Sequence, residues 1–411
     1  MASEPPAAAR WLNRTVLGIG LASLFSDVGH EMATSAMPAL LASLGAGSAT
    51  LGVIEGVADG LSSFAKLAAG HYSDRLRRRK PLAVIGYFMT ASGMASFALA
   101  TQAWHVLVAR VFGWVGRGAR TPVRNVLLTE ATTPETYGRA FGLERTMDSA
   151  GAIVGPLLAL VFATVLSARH VFVLTLIPGV VAALLVALLV KEKAHERGPA
   201  RPFVANARAL PRSFRRFLAG VGVAGLGDYS NTLLILWATQ AWTPRLGAHR
   251  AATLAMAFYV GYNVVYTASC SLAGWLADRY AKHRVLALGY SLAVVPAVAL
   301  LLPGDAYLKF AVVFGISGLY MGFWETVEST IAATLLPDDA RGSGFGVLAT
   351  VNGLGDLVSS VLVGSLWALS PYLAMGFVIV TSLAGATVIV SAPSGAEAHA
   401  ARGSTEEEER S

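Results

Sequence analysis

One short charged signature occurs twice in this chain, 204 residues apart and each time at the end of a long apolar run. The first copy is Gly70, Asp74, Arg75, Arg77, Arg78, Arg79 and Lys80, and the second is Gly274, Asp278, Arg279, Lys282 and Arg284. The separation is close to half of the 411 residues, so the chain reads as a duplicated bundle with one basic loop at the same place in each half. The repeated segments are too apolar for an ordinary soluble domain. Residues of the AVILMFWYC set make up 55% of the chain and charged residues only 14%, and the mean hydropathy is +0.57.

With about 20 residues per membrane span, and Gly, Pro and charged clusters as punctuation, twelve helices are expected. They cover residues 14–43, 50–72, 80–100, 105–131, 139–166, 169–191, 214–242, 249–276, 283–302, 306–335, 342–368 and 371–391. Several exceed the minimum length, so tilt or kinking is expected. No strand alternation is present to support a barrel. The expected fold is an all-α membrane protein, with twelve transmembrane helices in two pseudo-symmetric six-helix bundles. Its expected parts are an N-terminal cytoplasmic segment 1–13, a first bundle 14–191, a cytoplasmic linker 192–213, a second bundle 214–391 and a disordered acidic tail 392–411 containing Glu406 to Glu409.

Most of the 32 Lys and Arg fall near the termini and in the loops around 75–80, 191–216 and 279–284, while Arg169, Arg245, Arg250 and Lys309 lie on the opposite side. By the positive-inside rule both termini are expected in the cytoplasm. The net charge of +7 is then a topology signal rather than a nucleic-acid footprint. The first apolar run is too long for a signal peptide and lacks a small-residue cleavage pattern, so it is read as a true first helix. The lone cysteine, Cys270, lies in an apolar helix, which excludes internal disulfides and a cysteine-based metal cluster.

The repeat extends beyond the loops. At the same offset Gly138, Phe141 and Gly142 align with Gly342, Phe345 and Gly346, and Gly151 aligns with Gly355. Arg120, Thr121 and Arg124 fall opposite Trp324, Glu325 and Glu328, and Ser26 and Asp27 fall opposite Ser230 and Asn231. The two halves have therefore diverged in charge while keeping their small residues.

On these residues the chain resembles a major facilitator superfamily transporter. The loop signature is similar to that family's Gly-x-x-x-Asp-Arg-x-Gly-Arg-Arg/Lys motif, except that Arg77 and Ala281 stand where glycine is usual. Arg110 resembles the family's helix 4 motif, with Trp114 at a position where glycine is usual. Gly151, Gly155 and Pro156 resemble the Gly-x-x-x-Gly-Pro signature of the proton-driven antiporter branch, although Ala159 and Leu160 replace its closing glycine pair. The resemblance implies a carrier in which helices 1, 4, 7 and 10 surround a central cavity.

The loop motif has a physical reading. An Asp at a helix end can bind the positive N-terminus of a neighbouring helix, and arginines beside it can pair with acids near the next loop. Such contacts hold cytoplasmic ends together in one state and must break in the other. Gly70, Asp74, Arg75 and Arg78 are therefore gate candidates, with Gly274, Asp278 and Arg279 in the second copy and Glu130, Glu135 and Arg139 as partners. Arg77 to Lys80 also read as headgroup anchors.

Intramembrane charges cost a few kcal/mol each unless paired or hydrated, so they carry the functional expectations. Asp27, His30 and Glu31 share one face of helix 1, and Arg110, Arg117, Arg120 and Arg124 share one face of helix 4. Helix 7 adds Asp228 and Asn231, and helix 10 adds Trp324, Glu325 and Glu328. Arg110, Lys66 and Arg145 lie near helix ends, where snorkelling explains them as well as function does. The expected proton-coupling group is Asp27, Glu31, His30 and Asp228, because making and breaking an Arg pair lets a carboxylate load and release a proton. The expected substrate contacts are Arg117, Arg120, Arg124, Asn231, Trp324, Glu325 and Glu328.

No Gly-x4-Gly-Lys phosphate loop is present, which leaves an ion gradient as the energy source, with protons expected and sodium as the alternative. No nucleophile and base constellation appears, so no enzyme, cofactor or resident metal is expected. The expectation is proton-coupled export of a small solute by a monomer in a bacterial inner membrane. Coupled uptake of an organic anion, metal ion or metal chelate is the alternative, and a non-transporting membrane receptor or enzyme stands behind both.

Overall fold

The computed structural model describes residues 11–46, 48–192, 210–229 and 231–391. Residues 1–10, most of the expected linker (193–209) and the expected acidic tail (392–411) lie outside the described residues. Among the described residues the regular structure is helical throughout.

In chain order the helices are α1 (Arg14–Ser43), α2 (Ser48–Ser73), α3 (Lys80–Ala95), α4 (Ala103–Glu130), α5 (Tyr137–Ala163), α6 (Ala168–Leu174), α7 (Leu176–Leu189), α8 (Arg212–Gly225), α9 (Asn231–Leu246), α10 (Ala248–Arg279), α11 (Lys282–Leu292), α12 (Val294–Leu301), α13 (Tyr307–Leu335), α14 (Arg341–Leu369) and α15 (Pro371–Val390). Three expected spans are each built from two pieces. The breaks between α6 and α7 and between α11 and α12 have one cause. Pro178 and Pro296 each lie four residues after the last residue of the preceding helix, where a proline ring clashes with the carbonyl at i−4. The span expected over 214–242 is interrupted between α8 and α9, where Gly225, Gly227 and Asp228 weaken helix formation.

The chain divides into two compact units, Met1–Ala207 with Asp338–Val347, and Arg208–Pro337 with Leu348–Ser411. The first seven residues of α14 thus belong with the first unit. Within that unit α1 lies along α5 and α7, α2 and α3 lie along α4, and α3 also lies along α7. Within the second unit α8 lies along α15, α10 and α11 lie along α13, and α11 also lies along α15. The pairings of α2 and α3 with α4, and of α1 and α3 with α7, therefore recur in the second unit.

Seven of the described helical segments are long and apolar enough to cross a membrane by length and composition. Outward-facing Leu157, Leu160, Val161, Leu184 and Leu188 present large apolar side chains, as a lipid solvent requires. The second unit's core is anchored by Trp242, fully buried against Phe258 and Phe310, with its indole N–H on the Asp305 carbonyl at 2.8 Å.

Candidate functional site

In the first unit, helix periodicity puts Arg117, Arg120 and Arg124 on the α4 face turned toward α1 and α5. Arg117 Nη1 lies 3.2 Å from Asp27 Oδ1, and Arg120 Nη2 lies 4.0 Å from the same oxygen. Neither contact is a well-aligned hydrogen bond, and Asp27 Oδ1, Arg117 Nη1 and Arg120 Nε and Nη1 have no hydrogen-bond partner. Arg120 instead stacks its guanidinium 4.0 Å over the Tyr87 ring. Arg124 is bound far more tightly: its Nη1 lies 2.6 Å from Glu144 Oε1 and 3.5 Å from Asp148, and donates to Ser23 Oγ at 3.0 Å.

These differences sort the three arginines. Arg124 is committed to its acids, and Arg120 is only 2% exposed. Arg117 is 28% exposed and holds Asp27 by charge and by one long hydrogen bond, its Nη2 donating to Asp27 Oδ2 at 3.4 Å. An ion pair with poor hydrogen-bond alignment returns little of its desolvation cost. The Asp27–Arg117 contact is therefore held less tightly than the Arg124–Glu144 pair, and it is the one within the cluster that reaches partly exposed surface.

A second cluster lies nearer the N-terminal end of α4. Arg110 is buried, so it does not snorkel: it makes a two-pronged contact with Glu55, its Nη2 at 2.9 and 2.8 Å from the two carboxylate oxygens, and stacks 3.7 Å over Trp114. The Trp114 indole N–H reaches Asp59 at 2.5 Å, and the buried His30 ring packs 4.3 Å from Trp114. His30 Nε2 lies 3.4 Å from Glu31, the more exposed carboxylate of α1. Trp114 thus stands between Arg110 and His30, a role that a side chain at a usual glycine position acquires only in three dimensions.

Gly151 and Gly155 explain why α5 approaches these acids so closely. A Cβ on Gly151 would sit 2.6 Å from the Leu24 carbonyl and 2.9 Å from Asp27 Cβ, and one on Gly155 would sit 2.7 Å from Glu31 Cβ. The two glycines face the two α1 carboxylates one turn apart, with Pro156 next in the chain. Gly151→Val is expected to push α1 off α5, lowering the thermal unfolding midpoint by the equivalent of about 1–3 kcal/mol. Differential scanning fluorimetry checks this, and an unchanged midpoint would show that the contact is loose.

At the end of α2 the structure shows a helix-terminus contact. Gly342 N and Ser343 N each donate to the buried Asp74 carboxylate at 2.7 Å, which places an anion on the N-terminus of α14. Burial pushes the Asp74 carboxyl above its ordinary range, against the pull of these bonds and of Arg79. Gly70 packs directly on the Gly342 carbonyl, with no room for a side chain.

The basic residues of the loop divide differently from the expectation. Arg75, just past the end of α2, bonds His71 in the last turn of that helix at 2.7 Å, and Arg78 is exposed. Arg79, read from sequence as an anchor, is buried, pairs with Glu130, and donates to the Ser73 carbonyl at 3.0 Å. Because α2 stops at Ser73, residues 74–79 form the loop into α3, and Arg79 lies in that loop against Ser73 and Glu130. In the second copy Gly274 is buried in α10, and Arg279 lies 5.3 Å over Trp275.

In the second unit, Asp228 falls in the break between α8 and α9, the side chain of Asn231 lies outside the described ones, and Glu325 and Glu328 follow each other on α13. Glu325 accepts from the Tyr266 hydroxyl. Glu328 is buried and accepts from the Tyr290 hydroxyl and from Asn352 Nδ2, the latter at 2.9 Å. Trp324 stacks on Tyr320 at 5.6 Å. Sequence reasoning missed Glu144, Tyr87, Tyr266 and Tyr290. A search for tyrosines on faces opposite intramembrane acids would have raised the last two.

The Major Facilitator Superfamily profile matches residues 19–360. The chain belongs to the major facilitator superfamily. It is 27% identical over 368 residues to an uncharacterized MFS-type transporter of Methanocaldococcus jannaschii, covering 88% of this chain and 90% of that protein. Over 109 residues, 26% of this chain and 27% of the relative, it is 34% identical to the multidrug resistance protein MdtH of Photorhabdus laumondii. Its fold is similar to that of the human organic anion transporter MFSD10, with a TM-score of 0.72 at 15% identity over 94% of this chain and 100% of that one. It is also similar to FucP in the outward conformation, with a TM-score of 0.71 at 17% identity over 92% and 98%. This major facilitator protein is thus a multi-pass membrane transporter, and its relatives are transporters rather than enzymes.

Proposed function

We propose that this major facilitator protein is a proton-coupled exporter of a small solute, working by alternating access, with Asp27 as the proton carrier and Arg117 as its partner. The observation that carries the reading is the buried Asp27 carboxylate held by a partly exposed Arg117, through a 3.2 Å charge contact and a long hydrogen bond of 3.4 Å. Protonation of Asp27 releases Arg117, and re-pairing expels the proton, so a change in the α1–α4 contact is coupled to charge. The glycine pair of α5 supports the antiport direction, because it brings α5 against Asp27 and Glu31. The His30 contact with Glu31 supports a relay role for His30. Asp74 acts as the gate together with Arg75 and with the buried Arg79. Both termini sit in the cytoplasm of a bacterial inner membrane, and the protein works as a monomer with 14–191 and 214–391 as its two bundles.

The second reading, coupled uptake of an organic anion, takes its support from Arg117: neutralising Asp27 leaves an exposed guanidinium that attracts an anion. Flux into proteoliposomes under an imposed pH gradient, with a sodium gradient as the parallel arm, separates the readings. Export predicts solute movement opposite to proton flow and no response to sodium. Solute moving with protons would replace antiport by uptake, and a response to sodium alone would remove the proton.

A further inference from the structure

We infer that Arg120 is the second partner of Asp27: the carboxylate pairs with Arg117 in the state shown and with Arg120 in the other state of the cycle. Protonation frees Asp27 from Arg117, and pairing with Arg120 after the change of state returns the proton to water. This deepens the coupling reading above and rests on it.

Unmet hydrogen-bonding groups face each other across the α1–α4 contact. Arg120 is 2% exposed, yet its Nε and Nη1 meet no acceptor, and the buried Asp27 Oδ1 accepts no hydrogen bond. The remaining nitrogen, Arg120 Nη2, stands 4.0 Å from that oxygen. A charge-assisted hydrogen bond closes at about 2.8 Å, so an approach of roughly 1 Å completes it. Packed helices move by that much between states. A buried guanidinium with two nitrogens unmet is costly to keep. The chain keeps one beside a carboxylate oxygen that is itself unmet.

The surroundings leave the head of Arg120 free to turn while fixing its stem. A Cβ on Gly86 would lie 2.7 Å from the Gly116 carbonyl and 2.8 Å from Arg120 Cβ, so α3 and α4 meet closely at the foot of the side chain. The guanidinium rests on the face of the Tyr87 ring at 4.0 Å, a contact that does not fix the direction of its N–H groups. The buried Tyr87 hydroxyl has no partner either, so it gives Arg120 no hydrogen bond. Arg120 can therefore turn toward Asp27 with no hydrogen bond of Nε or Nη1 to break.

Asp27 is also the acceptor that remains. Arg117 and Arg120 face it from α4, Asp148 faces it from α5, and Glu31 follows it on α1. Asp148 lies within electrostatic reach of Arg120 but is shared by Arg124 at 3.5 Å and Arg145 at 3.9 Å. Glu31 lies 3.4 Å from His30. A solute meets the partly exposed Arg117 before it can meet Arg120, so the missing acceptor comes from the protein.

The test is a cycle of variants of the full chain in nanodiscs, read by the thermal unfolding midpoint at alkaline pH with no solute and no gradient. Arg120→Met removes an under-satisfied buried charge and should raise the midpoint. Arg117→Gln should lower it by only about 2 °C, because Asp27 turns to Arg120. The two together leave Asp27 without a partner and should lower it by roughly 6 °C or more. This excess should shrink at acid pH and vanish in an Asp27→Asn background, which a purely structural Arg120 would not produce. If the double variant does not fold, adding Asp27→Asn should restore folding, and a triple variant that still fails would overturn the inference. Additive effects at alkaline pH, an excess that survives Asp27→Asn, or a lowered midpoint in Arg120→Met would overturn it too. An unsubstituted protein whose flux ignores a pH gradient would sink the proposed coupling and leave the Asp27–Arg120 pairing standing. Proton-driven flux with additive variants would sink Arg120 alone.

Discussion

Asp27→Asn abolishes transport driven by a pH gradient while solute exchange between two pools continues. Exchange needs no net proton movement, and the amide keeps the shape of the carboxylate while losing the titrating charge. With Asp27 neutral, Arg117 has no anion at 3.2 Å and Arg120 none at 4.0 Å, so the α1–α4 contact stays in its released form whatever the pH. One lost proton site uncouples the cycle, so gradient-driven flux should fall at least a hundredfold, with exchange within a few-fold of the unsubstituted protein. Counterflow and pH-jump uptake in the same proteoliposomes measure both quantities. Full gradient dependence in Asp27→Asn would move the carrier to Glu31 or Asp228.

Asp74→Asn removes most net flux from a protein that still inserts and folds. The carboxylate takes two backbone N–H groups at 2.7 Å, from Gly342 and Ser343, and an amide offers one oxygen and one competing N–H in their place. One buried donor is left unmet and the anion at the α14 N-terminus is lost, together worth roughly 2–4 kcal/mol. That is enough to shift the balance between a latched and an unlatched state by more than tenfold. Gly70→Val should act the same way by a different cause, since its side chain would meet the Gly342 carbonyl. Asp278→Asn should have the smaller effect, because fewer basic residues follow it in the second copy. Transport together with the unfolding midpoint distinguishes a lost latch from a lost fold, and wild-type flux in well-folded Asp74→Asn would remove Asp74 from the gate.

Much of this architecture was legible in one dimension. The 204-residue repeat and the apolar segmentation imply two helical bundles because membrane spans must be apolar and satisfy their own backbone, whatever the packing. Helix periodicity likewise placed Asp27, His30 and Glu31 on one face and the α4 arginines on another. The breaks before Pro178 and Pro296 follow from residue chemistry but were not read, since proline in an apolar run signals a kink without saying whether the helix resumes.

What spacing alone left open was which charge meets which. Arg117, Arg120 and Arg124 have the same periodicity, yet one holds Asp27 loosely, one stacks on Tyr87 and one is consumed by Glu144. Arg79 pairs with Glu130 across the loop that leaves α2 at Ser73. The sequence by itself determined the helical membrane fold and the repeat, both properties of local composition. Only the tertiary structure decided the pairings, because a charge buried in low dielectric is controlled by the neighbour within about 4 Å, and that neighbour comes from another helix.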